Sequence, residues 1–129
     1  MSTAPGQSLH RPQEHILCRL DDCPEGQSKG FALNPEARYA DILVVRTPAG
    51  IYAYRNRCPH TFAPMEWEPD EFLDVTGTVI QCGIHGALFR IEDGYCVSGP
   101  CVRQSLQRIA VTVREGWLVA LESVERIRD

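Results

Sequence analysis

The chain has 129 residues, of which 43% are hydrophobic and 23% charged, with a formal net charge of −4 and an isoelectric point near 5.5. That length supports one domain with a single core and leaves no room for a second, catalytic domain. Lys29 is the one lysine and the arginines are scattered, so no basic surface for a nucleic acid is expected.

The first fourteen residues, MSTAPGQSLHRPQE, contain two prolines and a glycine and predict a flexible arm. They hold no apolar leader core and no twin arginine, so export is not expected. The longest aliphatic run, Ile42–Val45, is far short of the ~18 residues of a membrane span. A cytoplasmic protein is therefore expected. In that setting six cysteines point to metal or redox chemistry rather than a disulfide framework.

Strand signals then recur with turn residues between them. HILCRL (15–20) is followed by the turn-rich DDCPEGQSKG. ADILVV (40–45) and IYAYR (51–55) flank TPAG, a hairpin pattern. Segment 66–74, EWEPDEFLD, can hold at most a short helical turn, because Pro69 interrupts it. TVIQC (78–82) is a further strand. ALFRI (87–91) and YCV (95–97) flank EDG, and QRIAVTV (107–113) and WLVAL (117–121) flank REG. In this last pair Ile109, Val111 and Val113, and likewise Trp117, Val119 and Leu121, alternate with polar or small residues, predicting one buried face. No window shows helical periodicity, and there is no internal repeat. The pattern predicts an all-β antiparallel sandwich or small barrel over 15–122, with 123–129 as a tail.

Two stretches carry chemistry. RCPHTFAPM (57–65) contains Cys58-x-His60; after twenty-one residues IQCGIHGALF (80–89) contains Cys82-x-x-His85. Taken singly, a cysteine here is a small buried hydrophobe and a histidine a hydrogen-bonded one. Two such pairs, each bounded by Pro or Gly between strands, point instead to one metal centre. A structural zinc site would take two Cys and two His, although classical fingers pair like ligands on one element. A single intervening residue also brings Cys58 and His60 onto one ion with difficulty. The spacing is easier if each loop gives its thiolate to one iron of a [2Fe–2S] cluster and its imidazole to the other.

The run CPH…CGIHGALFRIEDGYCVSGP resembles the Rieske iron–sulfur domains, marked by C-x-H, a spacer, and C-x-x-H followed by Gly. The resemblance implies the Rieske β fold over most of the chain, with a cluster-binding part at about 56–101. It also implies a [2Fe–2S] cofactor on Cys58, His60, Cys82 and His85, and a covering loop at Gly99-Pro100. The spacer is longer than usual, the excess falling in residues 65–74. In the high-potential respiratory branch both ligand loops carry an additional, disulfide-forming cysteine, and a Ser and a Tyr hydroxyl follow the second histidine. Here Thr61-Phe62-Ala63 and Gly83-Ile84 lack cysteine, and Ala87 and Phe89 lack hydroxyls. The likeness is therefore to the low-potential branch, with a potential near the low end of the Rieske range, about −150 mV.

Four protein ligands leave no open iron position, so electron transfer is expected and no catalytic activity or small-molecule substrate of its own. A self-contained oxygenase would need two further histidines and a carboxylate, yet only His10 and His15 remain, both near the arm. The resemblance thus implies a small ferredoxin passing single electrons from a reductase to a terminal oxygenase or nitrite-reductase-type enzyme, with neither nucleic acid nor membrane as partner. The alternative is a structural or regulatory subunit with zinc, or no metal, at the site. Glu66, Glu68, Asp70, Glu71 and Asp74 could meet a basic redox partner or simply face water. Trp67 and Phe72 are expected to pin their loop to the core, Cys18 and Cys23 to fill space, and Cys96 and Cys101 to be thiols.

Overall fold

A computed structural model describes residues 12–33, 36–59, 63–83 and 86–123. Nine strands follow in order: β1 (Pro12–Arg19), β2 (Gln27–Phe31), β3 (Ile42–Thr47), β4 (Gly50–Arg55), β5 (Val79–Gln81), β6 (Leu88–Arg90), β7 (Cys96–Ser98), β8 (Arg108–Arg114) and β9 (Trp117–Ser123). They form a six-stranded sheet, β1-β9-β8-β4-β3-β2, and a three-stranded sheet, β5-β6-β7. Every pairing is antiparallel. This is the expected all-β class. Among the described residues no helix is long and apolar enough to cross a membrane.

The three predicted hairpins form at the expected places. Thr47 pairs with Gly50, Arg90 donates from its amide to Tyr95 O, and Arg114 pairs with Trp117 across Glu115 (φ 55°) and Gly116 (φ 85°). Two positive φ values in succession suit the right-handed twist of the flanking strands.

The unbroken apolar run of β3 reflects burial on both faces. Ile42 and Val44 face a core with Cys18, Cys23, Ala53, Ile109, Leu118 and Ala120. Leu43 and Val45 face a second core with Tyr54, Phe72, Ile80, Phe89, Ile91 and Leu106. The second core is the seam between the large sheet and the three-stranded one. Cys18 and Cys23 do fill space in the first core, and burial pushes both thiols up from the ordinary value.

Four expectations need correction. The turn-rich segment after residue 20 contains a strand, β2, whose polar sequence hides its pairing of Gly30 with Leu43. Gly30 is required there, because a Cβ would lie 2.8 Å from that of Ala40. Second, Leu118, Val119 and Ala120 of β9 are all buried, Leu118 and Ala120 in the first core, so of the predicted set Val119 is inside, Leu121 is half-buried and Trp117 is not inside. Trp117 is exposed and lies under the Arg19 guanidinium at 5.1 Å, a cation–π contact at the surface. Val113, at the far end of β8, is exposed as well.

The third concerns Trp67 in residues 66–74, a segment that holds no helical turn, within the limit set by Pro69, but an irregular extended hairpin with bridges Glu68–Glu71 and Leu73–Ile80. Asp70 turns the corner at φ 67°, its Oδ1 accepting from Gly30 N (2.8 Å) and its carbonyl from Ser28 Oγ (2.7 Å). Phe72 is fully buried, but Trp67 is half exposed and does not pin the loop. Finally, β1 begins at Pro12 and pairs His15 with Ala120, so the strand enters the segment expected to be a flexible arm. Residues 1–11, including His10, and the tail at 124–129 lie outside the described residues.

Candidate metal centre

The first loop leaves β4 at Asn56, which is buried although polar. Asn56 Nδ2 donates to Ala40 O (2.9 Å) and to Glu66 Oε1, and its Oδ1 accepts from Met65 N (2.8 Å). Glu66 Oε2 accepts from Ala40 N (3.2 Å). Both ends of the loop are thereby tied to the neighbouring strand connection, and a buried polar group is satisfied as burial demands. Within this frame Cys58 N donates to Ala63 O at 2.9 Å.

The second loop, between β5 and β6, closes in the same way. Cys82 N donates to Ala87 O at 2.9 Å, and Gly86 (φ 70°) returns its amide to Cys82 O at 2.9 Å. Each loop is thus a six-residue excursion whose first residue is a cysteine. Gly83 N donates to Met65 O at 2.8 Å and joins the two loops. No side chain fits at that junction: a Cβ on Gly83 would stand 2.7 Å from Trp67 Cβ.

A third loop follows β7. Gly99 (φ 98°) lies so close to the second loop that a Cβ would be 2.8 Å from Ala87 Cα. Gln104 N donates to Cys101 O at 2.8 Å, and Cys96 N to Gln104 O at 2.8 Å, fixing the turn. The predicted covering loop at Gly99-Pro100 therefore packs on Ala87, beside the second cysteine.

Cys58, Cys82, Ala87, Phe89, Met65 and Cys101 are all fully buried in one core. His60 and His85, with Thr61, Phe62 and Ile84, lie outside the described residues, each histidine between the two ends of a closed loop. Among the described residues no three His, Cys, Asp or Glu groups gather as a ligand set for a single ion. The described half of the donor set fits an iron–sulfur group. Two soft sulfur donors stand at equivalent positions of two hydrogen-bonded loops, walled off from water by apolar side chains. Sequence reasoning passed over Asn56 and placed Glu66 among the docking or solvated acids, because the roles of both depend on Ala40, sixteen and twenty-six positions away. Among the described residues no two cysteines form a disulfide. Cys96 Sγ donates to Ser98 O at 3.2 Å, whereas Cys101 Sγ stands 3.6 Å from Cys58 Sγ.

A comparison with curated proteins finds no match. Solved structures do match. The ferredoxin of carbazole 1,9a-dioxygenase from Nocardioides aromaticivorans IC177 superposes with a TM-score of 0.65 at 21% identity, over 85% of this chain and 98% of that one. The Sphingomonas yanoikuyae B1 ferredoxin gives 0.64 at 23%, over 85% and 99%. A chain from the complex of reduced oxygenase and oxidized ferredoxin in carbazole 1,9a-dioxygenase gives 0.66 at 27%, over 85% and 94%. The family model of the Rieske [2Fe-2S] domain matches residues 13–123, all nine strands and both cysteine loops but for the ends, and the chain belongs to this family, whose cofactor is a [2Fe–2S] cluster.

Proposed function

We propose that this protein is a single-electron carrier that takes electrons from a reductase and delivers them to a terminal oxygenase. Cys58, His60, Cys82 and His85 would hold its cluster, through two thiolates and two imidazoles. The observation that carries this reading is the pair of equivalently closed loops, each starting at a buried cysteine and each containing one histidine. When bound, the cluster supplies reversible uptake of one electron. The chain supplies the rest. Asn56 and the Gly83–Met65 bond hold the two loops in fixed relation, so that little rearrangement accompanies a change of charge. Met65, Ala87 and Phe89 keep water from the sulfur side. Four protein ligands leave no iron position for a substrate, which favours transfer over catalysis. The oxygenase as acceptor is supported by the likeness to a chain from an oxygenase–ferredoxin complex.

The test is the purified full-length protein. Two irons and two acid-labile sulfides per chain are expected, with a red-brown colour. The reduced form should show an EPR signal of low average g value, marking histidine ligation. Cys58→Ser and His60→Ala should each lose that signal. A colourless protein carrying one zinc would replace this reading with the structural one. Reduction by a flavin-dependent ferredoxin reductase and reoxidation by a ring-hydroxylating oxygenase then test the direction of flow.

A further inference from the structure

We propose that Cys101 is a positioning residue that donates its S–H to the sulfur of Cys58 and thereby raises the reduction potential of the centre. The inference deepens the function proposed above and rests on Cys58 being a cluster ligand. Cys101 is fully buried while its neighbours Val102 and Arg103 are exposed. The backbone enforces this inward turn: Gly99 is flush against Ala87, Arg103 takes the left-handed φ of 78°, and Gln104 N holds Cys101 O. Arg103 has no glycine's freedom, so the loop holds a costly conformation that keeps Cys101 pointing inward.

The two sulfurs are 3.6 Å apart, within hydrogen-bond range for sulfur and far beyond the ~2.05 Å of a disulfide. Between two thiols either could donate. A metal-bound thiolate has no proton, so with Cys58 as ligand the direction is fixed: Cys101 donates and Cys58 accepts. Cys96, the other thiol of this hairpin, is committed to Ser98 O. Ala87 and Phe89, in the same core, carry no hydroxyl to offer. An electron added to the centre increases the negative charge on its sulfurs. A donor at Cys58 then stabilises the reduced form more than the oxidised one. The thiol is a weak donor, and it stands beside two buried side chains, Ala87 and Phe89, that offer none.

The experiment uses the full chain with its cluster loaded, wild type beside Cys101→Ala and Cys101→Ser. Iron and sulfide content and the reduced EPR spectrum first establish the loading. The midpoint of Cys101→Ala should lie below that of the wild type, and Cys101→Ser, which keeps a donor, should recover part of the shift. In the wild type alone, the infrared difference between reduced and oxidised protein should contain an S–H stretching band that moves to lower frequency on reduction. A loaded Cys101→Ala protein with an unchanged or higher midpoint overturns the proposal. Should that variant fail to load, a wild-type difference spectrum without an S–H band overturns it as well. A wild type that binds no cluster defeats the functional reading itself, through its metal content rather than its potential.

Discussion

Asn56 Oδ1 accepts from the amide of Met65 at 2.8 Å, so the side chain that ends β4 also fixes the far end of the first cysteine loop. The two are nine positions apart, and the loop they close contains Cys58 and His60. Met65 in turn receives Gly83 N on its carbonyl. A single polar residue thus sets the position of both loops, one directly and one through Met65.

Removing that side chain should therefore cost more than an ordinary surface change. Asn56→Ala deprives Met65 N and Ala40 O of their partner and leaves the Glu66 carboxylate short of a donor. A loss of about 2–3 kcal/mol in folding stability is expected, since buried polar groups left unsatisfied carry their full desolvation cost. Urea denaturation of the loaded protein measures it, and iron content after dialysis against a chelator should fall in parallel. Asn56→Asp should not rescue, because it removes the Nδ2 donor and sets a second carboxylate beside Glu66.

Much of this was legible in the sequence, for reasons that are local. The hairpins declare themselves through Pro-Ala-Gly, Glu-Asp-Gly and Glu-Gly, turn residues whose preferences act over four positions. The cysteine and histidine spacings are likewise a property of each loop alone. What was hidden depends on distant partners. Strand β2 reads as a turn because Ser28, Lys29 and Gly30 are polar or small, yet these residues receive Asp70, forty positions on. Trp117 reads as buried because it is the largest apolar residue of β9, although of the predicted set it is Val119 that lies inside. The guanidinium of Arg19 gives the Trp117 ring a partner at the surface. Asn56 and Glu66 looked like ordinary loop residues, since nothing near them in sequence shows that Ala40 completes their network.

Alkaline pH should weaken the fold through Tyr54. The ring is fully buried, its hydroxyl donates to Ile91 O at 2.6 Å, and burial pushes its pKa up to about 12. In the unfolded chain a tyrosine ionises near 10. Between roughly pH 10 and 12 the unfolded state therefore holds fewer protons than the folded one, and stability falls as pH rises. Below pH 10 this contribution is fully present. Cys18 and Cys23, raised by burial as well, add to the slope from about pH 9. Comparing Tyr54→Phe with the wild type separates them, because both proteins keep these thiols. The variant should be about 1 kcal/mol less stable at pH 7, having lost a buried hydrogen bond, and the difference should shrink above pH 10. Denaturation midpoints across pH 7–11 check this; a constant difference would refute the assignment.

The acidic segment is less available for docking than its composition suggests. Glu66 faces inward to Asn56, Asp70 is tied to Gly30 N and Lys29, and Asp74 caps Thr76 and Thr78. The bonds from Thr76 hold the Asp74 carboxyl below the ordinary carboxylate range. Glu68 and Glu71 are exposed and make the cleaner probe. If a basic redox partner meets this face, the double variant Glu68→Lys/Glu71→Lys should slow the second-order reaction by roughly tenfold at low ionic strength and flatten its salt dependence. Stopped-flow mixing with the reductase measures both. Reversing Asp70 would unpin the loop from β2, so a slowed rate in that variant would say nothing about docking. A rate unchanged by the Glu68 and Glu71 reversals assigns them to the solvated surface.

The reduction potential is where the chain's departures from the high-potential branch meet. Ala87 and Phe89 occupy positions where that branch is expected to place hydroxyl donors, and both are fully buried beside the cysteine loops. Without those donors a reduced, more negative centre would be less stabilised, and a midpoint toward the low end of the range, about −150 mV, is expected. A Cys101 thiol donating to Cys58, as proposed above, would offset part of that loss but, as a weak donor, not all of it. Phe89→Tyr and Ala87→Ser should each raise the midpoint, provided the added hydroxyl reaches a sulfur. The Ser variant has the easier fit, since only one atom is added at a site already closed by Gly99. Potentiometric titration followed by EPR gives the midpoint of each loaded protein. A wild-type value well above zero would show that donors other than these hydroxyls dominate the centre.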